Sequence, residues 1–388
     1  MMAERAYFDW NATAPLRPQA KAAVMAALEL CGNPSSVHGE GRAARRLVEE
    51  AREQVARLVG ADPADVVFTS GGTEANALAL TPFARRAGDK APLERLLVSA
   101  IEHTSVRAGG RFPADALSEI PVTTQGVVDL AALEVMLAKG GRALVSIMLA
   151  NNETGVIQPV RKAADMVHEA GGVLHVDAVQ GPGRMPLDLA ALGADLLTLS
   201  AHKLGGPKGT GALIRAPGIH IAEPLIRGGG QERGGRAGTE NVSGIAGFGA
   251  AAEAALQSLD ADIGRMRTLR DRLETGLKAM TPQAVIFGAD ADRLPNTTLF
   301  ALPGVKAETA VIAFDLDGIA VSSGAACSSG KVQPSHVLAA MRINRSLADG
   351  AIRASLGLST TESDVERFLN AWNKLSKSLG KERNGLAA

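Results

Sequence analysis

The chain has no surplus of charge: its 388 residues carry 41 Lys and Arg against 41 Asp and Glu. A surface built to hold nucleic acid or another polyanion shows a basic excess, so that class of partner is excluded. Cysteine is nearly absent. Cys31 and Cys327 form neither a CxxC pair nor a disulfide framework, and a reducing cytoplasm is the expected compartment. No apolar run approaches about 18 residues, and the opening MMAERAYFDWNATAPL lacks the apolar stretch of a secretion signal. The chain is therefore expected to be neither secreted nor membrane-spanning. A P-loop is missing too. The nearest approach, GAACSSGKV, has the wrong glycine spacing and Val332 after Lys331. No HExxH occurs among the seven histidines, and two cysteines cannot build a Cys-rich zinc site.

What is present is an alternation. Apolar runs at 96–100, 143–149, 172–178, 196–200 and 211–215 read as buried strands, and amphipathic stretches at 41–60 and 159–171 read as helices between them. Strand alternating with helix predicts an α/β fold with a mostly parallel sheet covered on both faces. From residue 242 to about 280 the pattern becomes one long Ala-rich helix. The segments AVIFG, TTLFAL, IAVSSG and AIRASL follow, and predict a smaller α+β domain completed by the N-terminal dozen residues. Length alone suggests about two domains.

Polar groups collect at the strand ends. SGGTEAN (70–76) sets two glycines and Thr73 before a helical run. It reads either as an anion cradle of backbone N–H groups or as a helix start capped by Thr73. HVDAVQ (175–180) ends a strand with Asp177 and Gln180, and the acid is either solvent-facing or a partner for a protonated ring nitrogen. TLSAHKLGGPKGTG (198–211) ends the next strand with Lys203, a surface lysine or a covalent anchor. AIEHTSV (100–106) offers His103, and ANNETG (150–155) offers Asn151 and Asn152, as amide donors or as turn formers. Amide, imidazole, carboxylate and amine thus meet on one sheet edge, where open α/β sheets bind ligands. Away from these, SSGAACSSGK (322–331) places Cys327 among small residues, a setting better explained by reactivity than by packing. The glycine- and arginine-rich RGGGQERGGRAGTEN (227–241) reads as too flexible to pack as core.

Taken together and in this order, GGTEAN, EHTSV, NNETG, HVDAVQ, SAHKLGGPKGTG, GGGQERGGRAGTEN and SSGAACSSG resemble the NifS/IscS cysteine desulfurases, enzymes of the class V aminotransferase group. The SSGxAC form is similar to the NifS/IscS branch rather than to SufS. The resemblance covers nearly the whole chain. It implies the pyridoxal 5'-phosphate-dependent transferase fold type I, with a seven-stranded sheet in a cofactor-binding domain of residues 15–255. A small domain of residues 1–14 and 256–388 would carry the cysteine loop. It also implies roles. Lys203 would hold the cofactor covalently, Asp177 would pair with its ring nitrogen, and His103 would stack on the ring as acid and base. Asn152 and Gln180 would bond the ring oxygen. Gly72, Thr73, Ser200 and His202 would hold the phosphate, with Thr239 reaching over from the other subunit of a homodimer. Asn33 and Arg353 would clamp the carboxylate of L-cysteine. Cys327 would take the sulfur as a persulfide, leaving L-alanine, and pass it to an iron–sulfur scaffold or another acceptor, where it would serve as a transient iron–sulfur ligand. Selenocysteine lysis or transamination on the same fold are the alternatives, and neither lyase nor aminotransferase would need a mobile cysteine.

Overall fold

Six mostly apolar runs with little but buried positions on both faces line up with one half-exposed edge segment as a single sheet. The computed structural model describes residues 5–89, 91–324 and 334–385, with side chains as far as residue 377. Across the sheet the strands run Val66–Thr69, Gly211–Arg215, Leu196–Ser200, Val173–Asp177, Ala143–Met148, Arg95–Ser99 and Leu117–Ile120. Gly211–Arg215 is antiparallel to both its neighbours, and the remaining pairings are parallel. The mostly parallel seven-stranded sheet is thus present. Two of its strands, Val66–Thr69 and Leu117–Ile120, have no counterpart in the strands read from the sequence. The second is an edge strand with Ser118 and Glu119 exposed, so it lacks the continuous apolar run of a buried one. In the middle of the sheet, His175 is wholly buried yet satisfied. Its ring nitrogens meet Ser146 Oγ at 2.8 Å and Thr198 Oγ1 at 3.0 Å, on the two adjacent strands.

Helices cover the sheet with small residues at the closest approaches. The helix Gly39–Leu58 turns Ala44, Val48, Ala51 and Val55 inward, a three- and four-residue spacing. It packs on the helix Val242–Gln257 so tightly that a Cβ on Gly249 would lie 2.6 Å from Ala51 Cα. The expected single helix from 242 to 280 is two, Val242–Gln257 and Leu259–Met280, divided at Ser258. The Ser258 hydroxyl lies 3.0 Å from Ala254 O and 2.6 Å from Asp262 Oδ2, local bonds that compete with the helical ladder.

A second, antiparallel sheet orders Val285–Ile286, Thr297–Ala301, Ile352–Ser355 and Ser322–Ser323. Its core is separate and aromatic. Phe314 stacks on Phe368 at 4.6 Å, and Phe300 meets Trp372 edge-on at 5.2 Å. The N-terminal strand Ala6–Tyr7 pairs in parallel with Ile319–Ala320, and Phe8 joins this aromatic core. The chain then crosses to the large sheet, so that Asn11 and Ala12 border the cavity described below. Among the described residues no helix is long and apolar enough to cross a membrane.

The loop at 227–241 departs from its reading as a segment too flexible to pack. Glu232 is buried and accepts from Arg52 at 2.7 and 3.0 Å and from Phe68 N at 2.9 Å. Arg52 itself lies over the Phe68 ring, 4.9 Å from its centre. Arg236 pairs with Glu74 at 3.0 Å. Two side chains therefore fasten a backbone that its glycines would otherwise leave loose.

Candidate active site

The parallel strands, taken in chain order, run outward from Arg95–Ser99 to one side and then resume on its other side at Ala143–Met148. At such a reversal the loops leaving neighbouring strands diverge and open a crevice at their carboxyl ends. A cavity of about 280 Å³ lies there, bordered by residues that end or follow five of the strands. Of the residues singled out in the sequence, Gly72, Thr73, His103, Asn152, Asp177, Gln180, Ser200, His202, Lys203 and Arg353 all line it. Asn33 and Thr239 do not. Both are exposed, and Asn33 Oδ1 accepts from Ser35 N at 2.9 Å, as a turn former does. Asn151 is a turn former as well, buried and accepting from Glu153 N and Thr154 N at 3.0 Å each. Cys327 lies outside the described residues.

One wall is the start of the helix Gly72–Ala79. Gly71, not Thr73, is its N-cap, and no side chain caps it. The first-turn N–H groups of the helix are therefore left to the cavity, and a dipole of this sense favours an anion. A Cβ on Gly72 would come within 3.1 Å of Val179 Cγ2 and 3.4 Å of Ser200 Cβ, so only glycine keeps this corner open. His202 flanks it, with Nδ1 3.2 Å from Thr13 Oγ1. Burial, then the charges of Lys203, Lys208 and Arg184, push its pKa down to about 4. At neutral pH it is an uncharged imidazole.

Beside this helix, at the end of the strand Val173–Asp177, lies Asp177, which is buried. Its Oδ1 accepts from Val179 N at 3.1 Å and its Oδ2 from Asn76 Nδ2 at 2.9 Å. The same Asn76 amide donates to Ser105 Oγ at 2.9 Å, and Ser105 Oγ lies 2.8 Å from His103 Nδ1. His103 Nδ1 also accepts from Ser105 N, so the proton of the neutral ring belongs on Nε2. Burial lowers the His103 pKa, and Lys203 adds to that while Asp177 opposes it. Asn76 thus joins the acid and the imidazole by one amide group. It stands within the quoted GGTEAN but was not marked there, because an asparagine inside a short helix reads as filler. Its Oδ1 is buried and has no partner among the described residues.

Lys203 closes the floor. A 3₁₀ turn, Ala201–Lys203, carries it off the strand Leu196–Ser200, and its Nζ donates to Asn11 O at 2.6 Å and Ala12 O at 2.9 Å. Arg353 enters from the smaller sheet. It donates from Nη2 to Asp9 at 2.7 Å and from Nη1 to Asn152 O at 3.0 Å, while its buried Nε has no partner among the described residues. An amine, a carboxylate, a neutral imidazole, an anion-seeking helix start and a guanidinium therefore surround one small volume. Such a set can hold a phosphorylated ring with a basic nitrogen and, beside it, a carboxylate.

Known proteins agree with this geometry. The family described as aminotransferase class-V matches residues 6–368. A cysteine desulfurase of Cereibacter sphaeroides is 46% identical and covers 94% of each chain. The cysteine desulfurase IscS of Dictyoglomus turgidum is 41% identical over 97% of this chain and 96% of its own. Among solved structures, a NifS-like protein from Rickettsia africae superposes with a TM-score of 0.86 at 37% identity, covering 96% of this chain and 100% of that one.

Proposed function

The chain belongs to the class V aminotransferase family and within it to the NifS/IscS-like cysteine desulfurases, and from that membership we propose how its residues divide the work. It is an enzyme that transfers sulfur from cysteine, and its family uses pyridoxal 5'-phosphate. The cavity suits that cofactor on its own evidence of shape and donors: the corner that a Gly72 side chain would fill, the uncapped helix start, and a buried carboxylate across from an amine.

Pyridoxal 5'-phosphate, when bound, supplies an electron sink for breaking bonds next to an amino acid's α-carbon. The protein's own residues do the rest. The N–H groups of Gly72 and Thr73, the Ser200 hydroxyl and the neutral His202 hold the phosphate. Asp177 keeps the ring nitrogen protonated, and Asn76 and Val179 N hold that carboxylate in place. Asn152 and Gln180 serve the ring oxygen. Lys203 is the covalent anchor, and its Nζ afterwards carries the substrate's α-proton. His103, which lines the cavity with its proton on Nε2, would stack on the ring. Arg353, with its Nε still unpartnered, takes the substrate carboxylate, a task that suits a guanidinium. Asn33 is a weaker candidate for that clamp, since it stands off the cavity.

Cys327 is the proposed sulfur acceptor: its thiolate attacks the substrate's sulfur, the carbon–sulfur bond breaks with its electron pair going to the carbon side, and that carbon takes up a proton, so that a persulfide and alanine result. We take residues 15–255 as the cofactor-binding unit, and 1–14 with 256–388 as the unit that carries Cys327. Thr239, exposed on the pinned loop, fits a phosphate contact made across a homodimer. An iron–sulfur scaffold or another acceptor then receives the sulfur. The exposed, unpaired Cys31 suits a reducing cytoplasm.

The observation that carries this reading is Lys203 Nζ and the Asp177 carboxylate bordering one cavity at adjacent strand ends. Borohydride reduction of the purified yellow protein, followed by peptide mapping, should place a pyridoxyl group on Lys203. Finding it on Lys208 instead would overturn the assignment.

A further inference from the structure

Arg184 is a buried guanidinium whose bonds end on oxygens, none of them a carboxylate among the described residues. It donates to Gln180 O at 3.2 Å, to Trp10 O and Lys203 O at 3.3 Å each, and to Gln180 Oε1. Burial and the nearby Arg353 push its pKa down to about 9, so it stays a cation at neutral pH. A buried charge without a counter-ion is costly to keep, and replacing it by an apolar side chain would remove that cost. Its retention calls for a task in the cavity.

The task is legible in the bonds around Gln180. A guanidinium can only donate, so the amide atom that faces Arg184 is the oxygen. On the other side, Gln180 Nε2 lies 3.1 Å from Asn11 O, which can only accept. Two independent partners therefore impose the same amide orientation. Gln180 lines the cavity, and the Asn11 carbonyl that receives its N–H also receives Lys203 Nζ. With its oxygen turned back to Arg184, Gln180 presents the cavity with an N–H.

We propose that Arg184 is a positioning residue that locks the Gln180 amide so that the cavity next to Lys203 offers a donor and selects a ligand ring bearing an anionic oxygen there. This rests on the reading of pyridoxal 5'-phosphate as the ligand. The charge of Arg184 acts in the same direction, since an unpaired cation behind the site favours a negative oxygen in front of it. Asp177, Arg353, Lys203, His103 and His202 are the other ionisable groups facing this space, and Asp9 pairs with Arg353.

The test uses the holoenzyme and substitutions at Arg184 and at Gln180. In Arg184→Met the amide is free to turn. Its affinity for pyridoxal 5'-phosphate should fall about tenfold, and the pH midpoint of the cofactor's visible band should rise by about one unit. Arg184→Lys, which keeps a cation but not the fork, should fall between Met and wild type. Gln180→Leu removes the amide altogether, so adding Arg184→Met to it should lower cofactor affinity and move the band midpoint much less than Arg184→Met does in the wild-type background, whereas an Arg184 that acts independently of Gln180 would add its full loss. Should Arg184→Met fail to fold, Arg184→Lys decides by the same two readouts and the same double variant. Wild-type affinity and an unmoved band midpoint in the Arg184 variant, or fully additive losses in the double variant, overturn the proposal. Absence of a borohydride label on wild-type Lys203 would instead remove the cofactor reading beneath it.

Discussion

Replacing Glu232 by Gln should weaken the fold far more than a loop substitution normally does. The Arg52 and Glu232 side chains are 3% and 2% exposed and joined by two bonds of 2.7 and 3.0 Å. Losing one member of such a pair leaves a buried charge, which costs about 3–5 kcal/mol. Arg52 keeps the Val66 carbonyl at 2.8 Å and the half-exposed Glu49 at 3.2 Å, so the lower end, about 3 kcal/mol, is expected. Gln can still accept from Phe68 N, which removes an orphaned amide from the total. Glu232 and Arg233 also sit at φ 50° and 55°. Such backbone stores about 1–3 kcal/mol per residue and is held only while its surroundings insist on it. Once the pair is broken, the 227–241 segment should relax outward and trypsin should cut at Arg233 or Arg236. Urea unfolding of Glu232→Gln, Arg52→Met and the double variant gives the coupling, and the double variant should recover at least about 1.5 kcal/mol of the Glu232→Gln loss. A Glu232→Gln loss below about 1 kcal/mol, or a coupling near zero, would refute the reasoning.

Gly72→Ala should fold nearly as well as wild type but bind pyridoxal 5'-phosphate at least several-fold more weakly, because the new methyl fills the corner beside Val179 and Ser200; equal cofactor retention on dialysis would count against the phosphate corner. Burial pushes the Glu153 carboxyl up to about 7, with Ser335 and Arg353 opposing. Between about pH 4.5 and 7 the native state holds a proton that the unfolded chain has released, so this group's contribution to stability falls as pH rises, by about 3 kcal/mol in all. Glu153→Gln should therefore match wild type at pH 4.5 and exceed it at pH 8 in urea unfolding; the same difference at both pH values would contradict this. Cys327→Ala should keep the cofactor's visible band and still bind L-cysteine, yet release little alanine. Mass spectrometry of the wild type after L-cysteine without reductant should add one sulfur to the Cys327 peptide rather than to that of Cys31.

The sheet and most of the cavity were readable because strand ends are where an acid, an amine or an imidazole stands out against an apolar run. Asp177, Lys203 and His103 each follow one. What was not readable depends on distant partners. Asn76 acquires its importance only from Asp177 and Ser105, and Arg184 only from Gln180 and three backbone carbonyls. The carbonyls of Asn11 and Ala12 have no side-chain signature at all. The loop at 227–241 misled for the same reason: its glycines are visible in the sequence, whereas the arginine that pins it lies 180 residues earlier. The break at Ser258 hides in an Ala-rich run because helix propensity on both sides is high.

The cavity draws on both ends of the chain, and this gives its completion an order in time. Asn11 and Ala12, whose carbonyls steady Lys203 Nζ, leave the ribosome well before that lysine, while Arg353 comes 150 residues after it. At about 5–20 residues per second this interval lasts roughly 8–30 s. Through it the large sheet can assemble and Lys203 can reach its carbonyls, but the guanidinium side of the cavity does not yet exist. A nascent chain is therefore a poor receptor for any carboxylate-bearing ligand until Arg353 has emerged.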